Sequence, residues 1–402
     1  MKIIDIESIH EAVDVLKRVG VDPYGIGAMA GKAIHLNILL EKQPCKVANI
    51  LKQEMLSLGG DAAVARGSVA CSIPETDVLL MGTRKQLAAL AAKIEKQPFG
   101  LNQIARKISE FLNNTGVCEF VLKTSRRKII LGQKTLVMGI LNVTPDSFSD
   151  GGIFNSVEKA VDHGWRMADE GADMIDIGGE STRPGSRSVP VNIELKRVIP
   201  VIEALSKKVK IPLSIDTKKA RVAAEAVAAG AEIVNDVSAL NADRAMAGTV
   251  ADSEAAVILM HMRGAPANMQ QGDLAYHDLM EDIIDYLKKS SGKAIKAGVA
   301  RESIIVDPGI GFGKTAEDNY RIMKNLSSLK ALNYPVMVGT SRKSFIGKIT
   351  GGNPGDRMEG TAATVAAAIM NGCHMVRVHD VATMKKVALV TDAIVHADEG
   401  TR

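Results

Sequence analysis

Six polar residues, Asn142, Asp216, Asn235, His261, Asp307 and His379, each lie at or just beyond the end of a short apolar run. One such residue is ordinarily a turn former, but six at equivalent places point to a shared face that carries chemistry. Asn142 runs into the loop of MGILNVTPDSFSDGG (138–152), rich in small polar residues with Pro145 and paired glycines, the composition of a catalytic loop. Its neutral oxygen suits Mg2+ or a phosphate-bound cation, and Asp150 adds charge from the loop. In IDIGGESTRPG (175–185), Gly178 and Gly179 let the backbone approach a ligand closely, while Thr182 and Arg183 offer a hydroxyl and a guanidinium to a carboxylate or phosphate. GTSRKSFIG (339–347) carries Lys343 and Ser344. Arg377 and His379, two apart on one strand, point to the same side and form a cationic pair.

These residues need a frame that gathers strand ends. From about Leu136 onward, short apolar runs alternate with amphipathic helical stretches, the pattern of βα units around a parallel sheet. The runs are TLVMGIL, DMIDIGG, IPLSID, EIVNDV, AAVILMH, SIIVDPG, YPVMVGT and HMVRVHD. Asn155 with Glu158 has the form of a capping box, and Gly171 and Gly230 close the helices before them. Eight βα units match a TIM (β/α)8 barrel, whose active site lies at the C-terminal strand ends and whose last strands commonly bind phosphate. The start of the chain reads differently: an opening helix, the strand KAIHLNILLE, the helix KVANILKQEMLSLGG, the strands DAAVARGSVA and TDVLLMG, and the helix RKQLAALAAKIEKQ. The expected fold is therefore α/β, a barrel over residues 126–402 preceded by a small α+β domain of unknown role over residues 1–125. The stretch FLNNTGVCEFVLKTSRRKIILGQKT joins them, with a short hairpin expected to cover the barrel's bottom.

Composition excludes several classes. A chain of 402 residues, 46% hydrophobic and 24% charged, can bury a full core. No apolar run reaches the roughly 20 residues needed to span a bilayer, and the start mixes acids and bases, so a cytoplasmic protein without membrane partners is expected. A net charge of +4 with 3% aromatic residues argues against nucleic-acid partners. Cys45, Cys71, Cys118 and Cys373 are scattered without a C-x-x-C pair, which fits neither a disulfide framework nor a zinc site. PGIGFGKT nearly forms a phosphate-binding P-loop, but Pro308 stands where that pattern needs glycine.

The runs NVTPDSFSDGG and IDIGGESTRPG, followed in order by SIDTKKA, IVNDVS, IVDPGIGFGKT, GTSRKSFIG and VRVHD, resemble the signatures of the dihydropteroate synthases across about residues 135–402. The resemblance implies condensation of 6-hydroxymethyl-7,8-dihydropterin pyrophosphate with 4-aminobenzoate, giving 7,8-dihydropteroate and pyrophosphate. It assigns pterin reading to Asp307 and Asn235, places Asp216 near the reacting methylene, and lays Met260 against the flat ring. Lys343 would donate to the pterin oxygen and ring nitrogen, and Asn142, Arg377 and His379 would hold pyrophosphate with Mg2+ bound through Asn142 and Asp150. Asp216, Lys343, Arg377 and His379 are the expected catalytic set. Thr182, Arg183 and Ser344 would meet the amine's carboxylate end, with Phe148, Pro184 and Phe312 along its ring. A homodimer through barrel helices and sulfonamide binding at the amine pocket are implied as well. The rival readings are a pterin-binding methyltransferase, which has no use for a pyrophosphate clamp, and a non-catalytic pterin-binding protein.

Overall fold

The computed structural model describes residues 1–6, 8–115, 119–144, 153–181, 186, 188–264, 269 and 274–397, with 153–156 as backbone alone. The chain divides into two compact units, Met1–Val117 with Ala397–Arg402, and Cys118–His396.

The first unit is a small α+β domain. Its helices are α1 (Ile9–Val19), α2 (Pro23–Ala33), α3 (Cys45–Ser57), α4 (Arg84–Ile94) and α5 (Leu101–Asn114), and its strands are β1 (His35–Pro44), β2 (Asp61–Val64) and β3 (Glu75–Thr83). The strands form an antiparallel sheet in the order β1-β3-β2. Alternation sets its inner face: Val78 and Leu80 point to one side and pack against Leu51 and Met55 of α3, Leu87, Leu90 and Ile94 of α4, and Ile108 and Leu112 of α5. The strand expected through DAAVARGSVA stops at Val64. Ala65 then donates its N–H to Thr76 Oγ1 at 3.1 Å and the chain enters a 3-10 turn at Arg66–Ser68. Helices α2 and α5 were not expected from the sequence.

The second unit opens with the expected hairpin, β4 (Phe120–Lys123) paired with β5 (Lys128–Leu131). Eight parallel strands follow: β6 (Leu136–Asn142), β7 (Met174–Gly178), β8 (Leu213–Asp216), β9 (Ile233–Asp236), β10 (Ala256–Met260), β11 (Ile304–Asp307), β12 (Met337–Val338) and β13 (Met375–Val378). Their order is β11-β10-β9-β8-β7-β6-β13-β12, and a bridge between Val306 and Val336 closes the ring. The helices are α6 (Ile153–Asp169), α7 (Val191–Lys208), α8 (Ala220–Ala229), α9 (Met246–Asp252), α10 (Leu279–Lys296), α11 (Ala316–Lys324), α12 (Ser344–Thr350), α13 (Met358–Met370) and α14 (Val381–Val395). Helix α6 begins ahead of Asn155, which therefore does not cap it; Gly171 and Gly230 close α6 and α8 in positive-φ conformations as expected.

The barrel's two faces follow from period-2 alternation. Val137, Leu141, Ile175, Ile215, Val234, Val257 and Val306 point outward into a core shared with the helices. Met138, Met174, Ile233, Ile258, Ile305, Met337 and Met375 point inward and pack with Leu122 and Leu131 of the hairpin, which covers the bottom. Continuing that inward phase toward the C-terminal ends gives Asp176, Asp216, Asn235, Asp307 and Arg377, so one alternation supplies both an apolar floor and a polar mouth.

The hairpin is held by more than its leucines. Glu232, buried just before β9, accepts from Arg127 Nε at 2.9 Å, Arg127 Nη2 at 2.6 Å and Thr124 Oγ1 at 2.8 Å. Removing the guanidinium would strand a buried carboxylate on one hydroxyl. Arg127→Ala is therefore expected to cost about 2–3 kcal/mol of barrel stability, with Arg127→Lys recovering only part because it lacks the bidentate fork. The urea midpoint measures this; kcat should stay unchanged, since the floor is the opposite end from the mouth, and an unshifted midpoint would refute the clamp.

Candidate active site

The inward residues at the strand ends form a connected polar cluster. Arg377 of β13 donates from Nε to Asp176 Oδ2 at 2.7 Å and from Nη2 to Asp216 Oδ2 at 2.9 Å. Asn235 of β9 donates from Nδ2 to the same Asp176 oxygen at 2.8 Å. Asp176, on β7, is completely buried, and Asp216 and Asn235 nearly so. Burial would expel these charges unless they were paired, and the shared guanidinium is what pairs them. The pairing is incomplete: Asp176 Oδ1 and Asp216 Oδ1 are buried without a partner. Burial pushes the Asp216 carboxyl up to about 7, against the pull of Arg377 and with help from Asp176. Burial also works against the Arg377 cation, yet Asp176 and Asp216 hold it above its ordinary range.

Asp307 ends β11 and turns into PGIGFGKT. Its Oδ1 accepts from Gly309 N at 2.7 Å. Gly309 has φ +69°, and a Cβ there would lie 1.9 Å from the His261 carbonyl oxygen, so only glycine permits the turn that brings this amide to the carboxylate. Burial raises Asp307 to about 6, opposed by the Gly309 amide and then by Lys343. Lys343, half-buried just before α12, has its ammonium 4.2 Å from the centroid of the Phe312 ring. Burial, then Arg377, lower it to about 8 while Asp307 and Asp216 raise it. Met260, Val237, Met269 and Phe312 form a separate apolar cluster, and Met260 is the register partner of Asp307.

Asn142 ends β6 opposite Gly178. A Cβ on Gly178 would sit 3.7 Å from Asp216 Oδ2 and 3.9 Å from Asn142 Oδ1, so the glycine leaves space between the amide and the carboxylate. His379, just past β13, meets Ser341 Oγ through its backbone N at 3.2 Å and its Nδ1 at 3.0 Å. The next residues repeat the link: Arg342, at φ +58°, donates to Asp380 from Nε at 3.1 Å and Nη2 at 2.6 Å. The loops after β12 and β13 are thus tied together, which sets Lys343 beside the cluster. Ser344 is exposed at the first turn of α12.

The cluster joins Asp216, Asn235 and Arg377, and a second group gathers Asp307, Lys343, Phe312 and Met260. His261 belongs to neither: it is buried against Lys314, whose ammonium lies 2.8 Å from its Nδ1 and donates to the carbonyls of Gly309 at 3.0 Å and Phe312 at 3.1 Å. Lys314 therefore holds its own loop and is turned away from any P-loop role. Phe148, Asp150, Thr182, Arg183 and Pro184 lie outside the described residues. At the end of the preceding described stretch, Glu180 Oε2 accepts from Val189 N at 2.9 Å and from Lys219 Nζ at 2.5 Å, and Lys219 also donates to Val189 O at 2.6 Å and to buried Glu194. Sequence reasoning missed Asp176 and Ser341. Asp176 was detectable, because it precedes Gly178 by two residues and shares its phase.

No group of three or more His, Cys, Asp or Glu side chains fit to hold a metal occurs among the described residues. Mg2+ commonly takes only one or two protein oxygens and completes its shell with substrate phosphate and water. The lone side-chain oxygen of Asn142, beside the space that Gly178 leaves open, fits that minimal role.

The barrel belongs to the class of pterin-binding enzymes: the family model of pterin binding enzymes matches residues 138–379. The chain is 47% identical over 276 residues to the dihydropteroate synthase of Bacillus subtilis (strain 168), a match covering 69% of this chain and 94% of that protein. It is 41% identical over 377 residues to a probable bifunctional folylpolyglutamate synthase/dihydropteroate synthase of Halobacterium salinarum, covering 94% of this chain and 45% of the relative, so this likeness extends into the first unit. The solved structure of Xanthomonas albilineans dihydropteroate synthase with 4-aminobenzoic acid has a TM-score of 0.65 and 43% identity, covering 71% of this chain and 100% of that one. The chain belongs to the dihydropteroate synthase family, transferases of folate biosynthesis.

The site's ionisations predict a bell-shaped kcat/KM. As pH falls through about 7 and then 6, Asp216 and Asp307 protonate and cease to be pure acceptors. As pH rises through about 8, Lys343 loses its proton and its charge. Efficiency should therefore peak between about 7 and 8, and Lys343→Met should abolish the alkaline limb. A flat profile from about pH 5 to about 9 would contradict this ordering of charges.

Proposed function

We propose that this chain condenses 6-hydroxymethyl-7,8-dihydropterin pyrophosphate with 4-aminobenzoate, releasing pyrophosphate and forming 7,8-dihydropteroate. The observation that carries the reading is the Arg377 guanidinium held between two buried carboxylates beside an amide, one strand set away from Asp307 and Lys343. A pterin displays ring nitrogens and an exocyclic amine, mostly donors, along one edge. Asp307 accepts two of these hydrogen bonds, Asn235 supports them, and Lys343 donates to the pterin oxygen and ring nitrogen. Met260 lies against the ring.

The carbon–oxygen bond at the pterin methylene breaks with its electron pair passing to pyrophosphate, and positive charge delocalises into the pterin. Asp216, with an unpartnered oxygen, stabilises that charge. Arg377 and His379 hold the departing anion. Bound through Asn142, with Asp150 as a further ligand, Mg2+ would supply charge neutralisation of the pyrophosphate oxygens. The amine nitrogen then bonds to the methylene carbon and releases its proton. Thr182, Arg183 and Ser344 meet the amine's carboxylate end, and Phe148, Pro184 and Phe312 line its ring. The relative solved with 4-aminobenzoic acid supports this choice of amine.

The enzyme works as a cytoplasmic homodimer in this reading. Support for the dimer comes from Met370 of α13 with Leu389, Val390 and Ile394 of α14, large apolar side chains left exposed on neighbouring barrel helices. Residues 1–125 supply no group to the chemistry.

Pyrophosphate release should require both substrates. Asp216→Asn and Arg377→Ala should each lower kcat by about a hundredfold or more, the scale of losing one charge-stabilising group in a closed site. Release without the amine would sink the condensation, and wild-type turnover in either variant would sink the assignment.

A further inference from the structure

Asp176 has no task in the reaction above, yet it is the most deeply placed carboxylate of the cluster, with no exposed surface. Strands β9 and β13 lie two places away from β7 on either side. Asn235 on the first and Arg377 on the second both donate to the same oxygen, Asp176 Oδ2, at 2.8 and 2.7 Å. The fold itself does not call for this contact. Main-chain ladders already fix these strands, and the layer just below, formed by Met174, Ile233 and Met375, is apolar. A buried carboxylate costs more than an apolar side chain of similar size would, and here the cost is only partly offset. Asp176 Oδ1 has no partner, and neither does Ser214 Oγ on the register position beside it.

What Asp176 does fix is a distance. Arg377 keeps a second carboxylate in Asp216, but that contact uses Nη2 alone; without Asp176 the Nε–H is unmatched and the guanidinium can turn about its remaining bond. Asn235 has Asp176 as the acceptor for its amide N–H, which leaves the amide oxygen a settled direction. We propose that Asp176 is a positioning residue that sets the spacing between the pterin reader and the pyrophosphate clamp, so that the bond to be broken lies between two groups registered on one oxygen. This inference rests on the roles given above to Asn235 and Arg377.

The test measures binding of inorganic pyrophosphate, with Mg2+ present, and of 6-hydroxymethylpterin separately by calorimetry, alongside kcat and the KM of each substrate. Asp176→Asn retains an acceptor oxygen and the shape but loses the charge. It should weaken pyrophosphate about tenfold, leave the pterin within about twofold, and lower kcat with the KM for 4-aminobenzoate unchanged. Asp176→Ala should weaken both ligands about tenfold, and added to Arg377→Ala it should cost little further pyrophosphate affinity. Wild-type affinities and kcat in Asp176→Asn would overturn the proposal, as would an equal loss for all ligands that tracks a lowered melting temperature. Arg377→Ala and Asn235→Ala serve as references. If they bind pyrophosphate and pterin normally, the roles beneath the proposal fail and it falls with them; if they are weakened while the Asp176 variants are not, the positioning alone is wrong.

Discussion

A half-buried guanidinium shared by two buried carboxylates organises the upper half of the barrel. Arg377 pairs with both Asp176 and Asp216, opposing the burial that raises the Asp216 carboxyl, and it is kept charged by them in return. Because the three side chains come from β13, β7 and β8, the charge balance holds only when those strands keep their relative register. Topology therefore sets the electrostatics. A slip of one residue in any of these strands would turn the polar member outward and leave its partners with an uncompensated charge.

The lower half works by the opposite means. Inward methionines, isoleucines and the hairpin leucines exclude water, and the Arg127–Glu232 pair fastens the hairpin over them. The dry floor lowers the effective dielectric beneath the cluster, which strengthens each charge interaction above it and shifts the carboxyls and Lys343 toward neutrality. The floor is thus part of the chemistry's setting although no floor residue faces a substrate.

Much of this was legible in the sequence, for identifiable reasons. The eight barrel runs are apolar and bounded by turn residues, so their strands were evident, and polar residues at their ends marked the mouth. Reading failed where a residue's task depends on a partner far along the chain. His261 ends a strand like the others, but Lys314 draws it into a buried contact. Asp176 sits inside an apolar run and looks like an interruption until Asn235 and Arg377 are brought to it from both sides. In the first unit, α5 repeats apolar residues at helical spacing from Leu101 to Leu112 and could have been identified, whereas the early end of β2 depends on a side-chain acceptor, Thr76, across the sheet. The amine's identity rests on likeness, since a hydroxyl and a guanidinium such as Thr182 and Arg183 offer would suit any carboxylate or phosphate.

The ring of strands is not uniformly stitched. Most neighbours share three to five registered positions, but β11 and β12 meet through the single bridge of Val306 with Val336, and β12 itself is two residues long. Asp307 follows Val306 on one side of that bridge, and Lys343 lies in the loop that leaves β12 on the other. The two groups that would grip the same ring from opposite sides thus flank the barrel's least-registered junction, so the spacing between them is set by one bridge and not by a shared ladder.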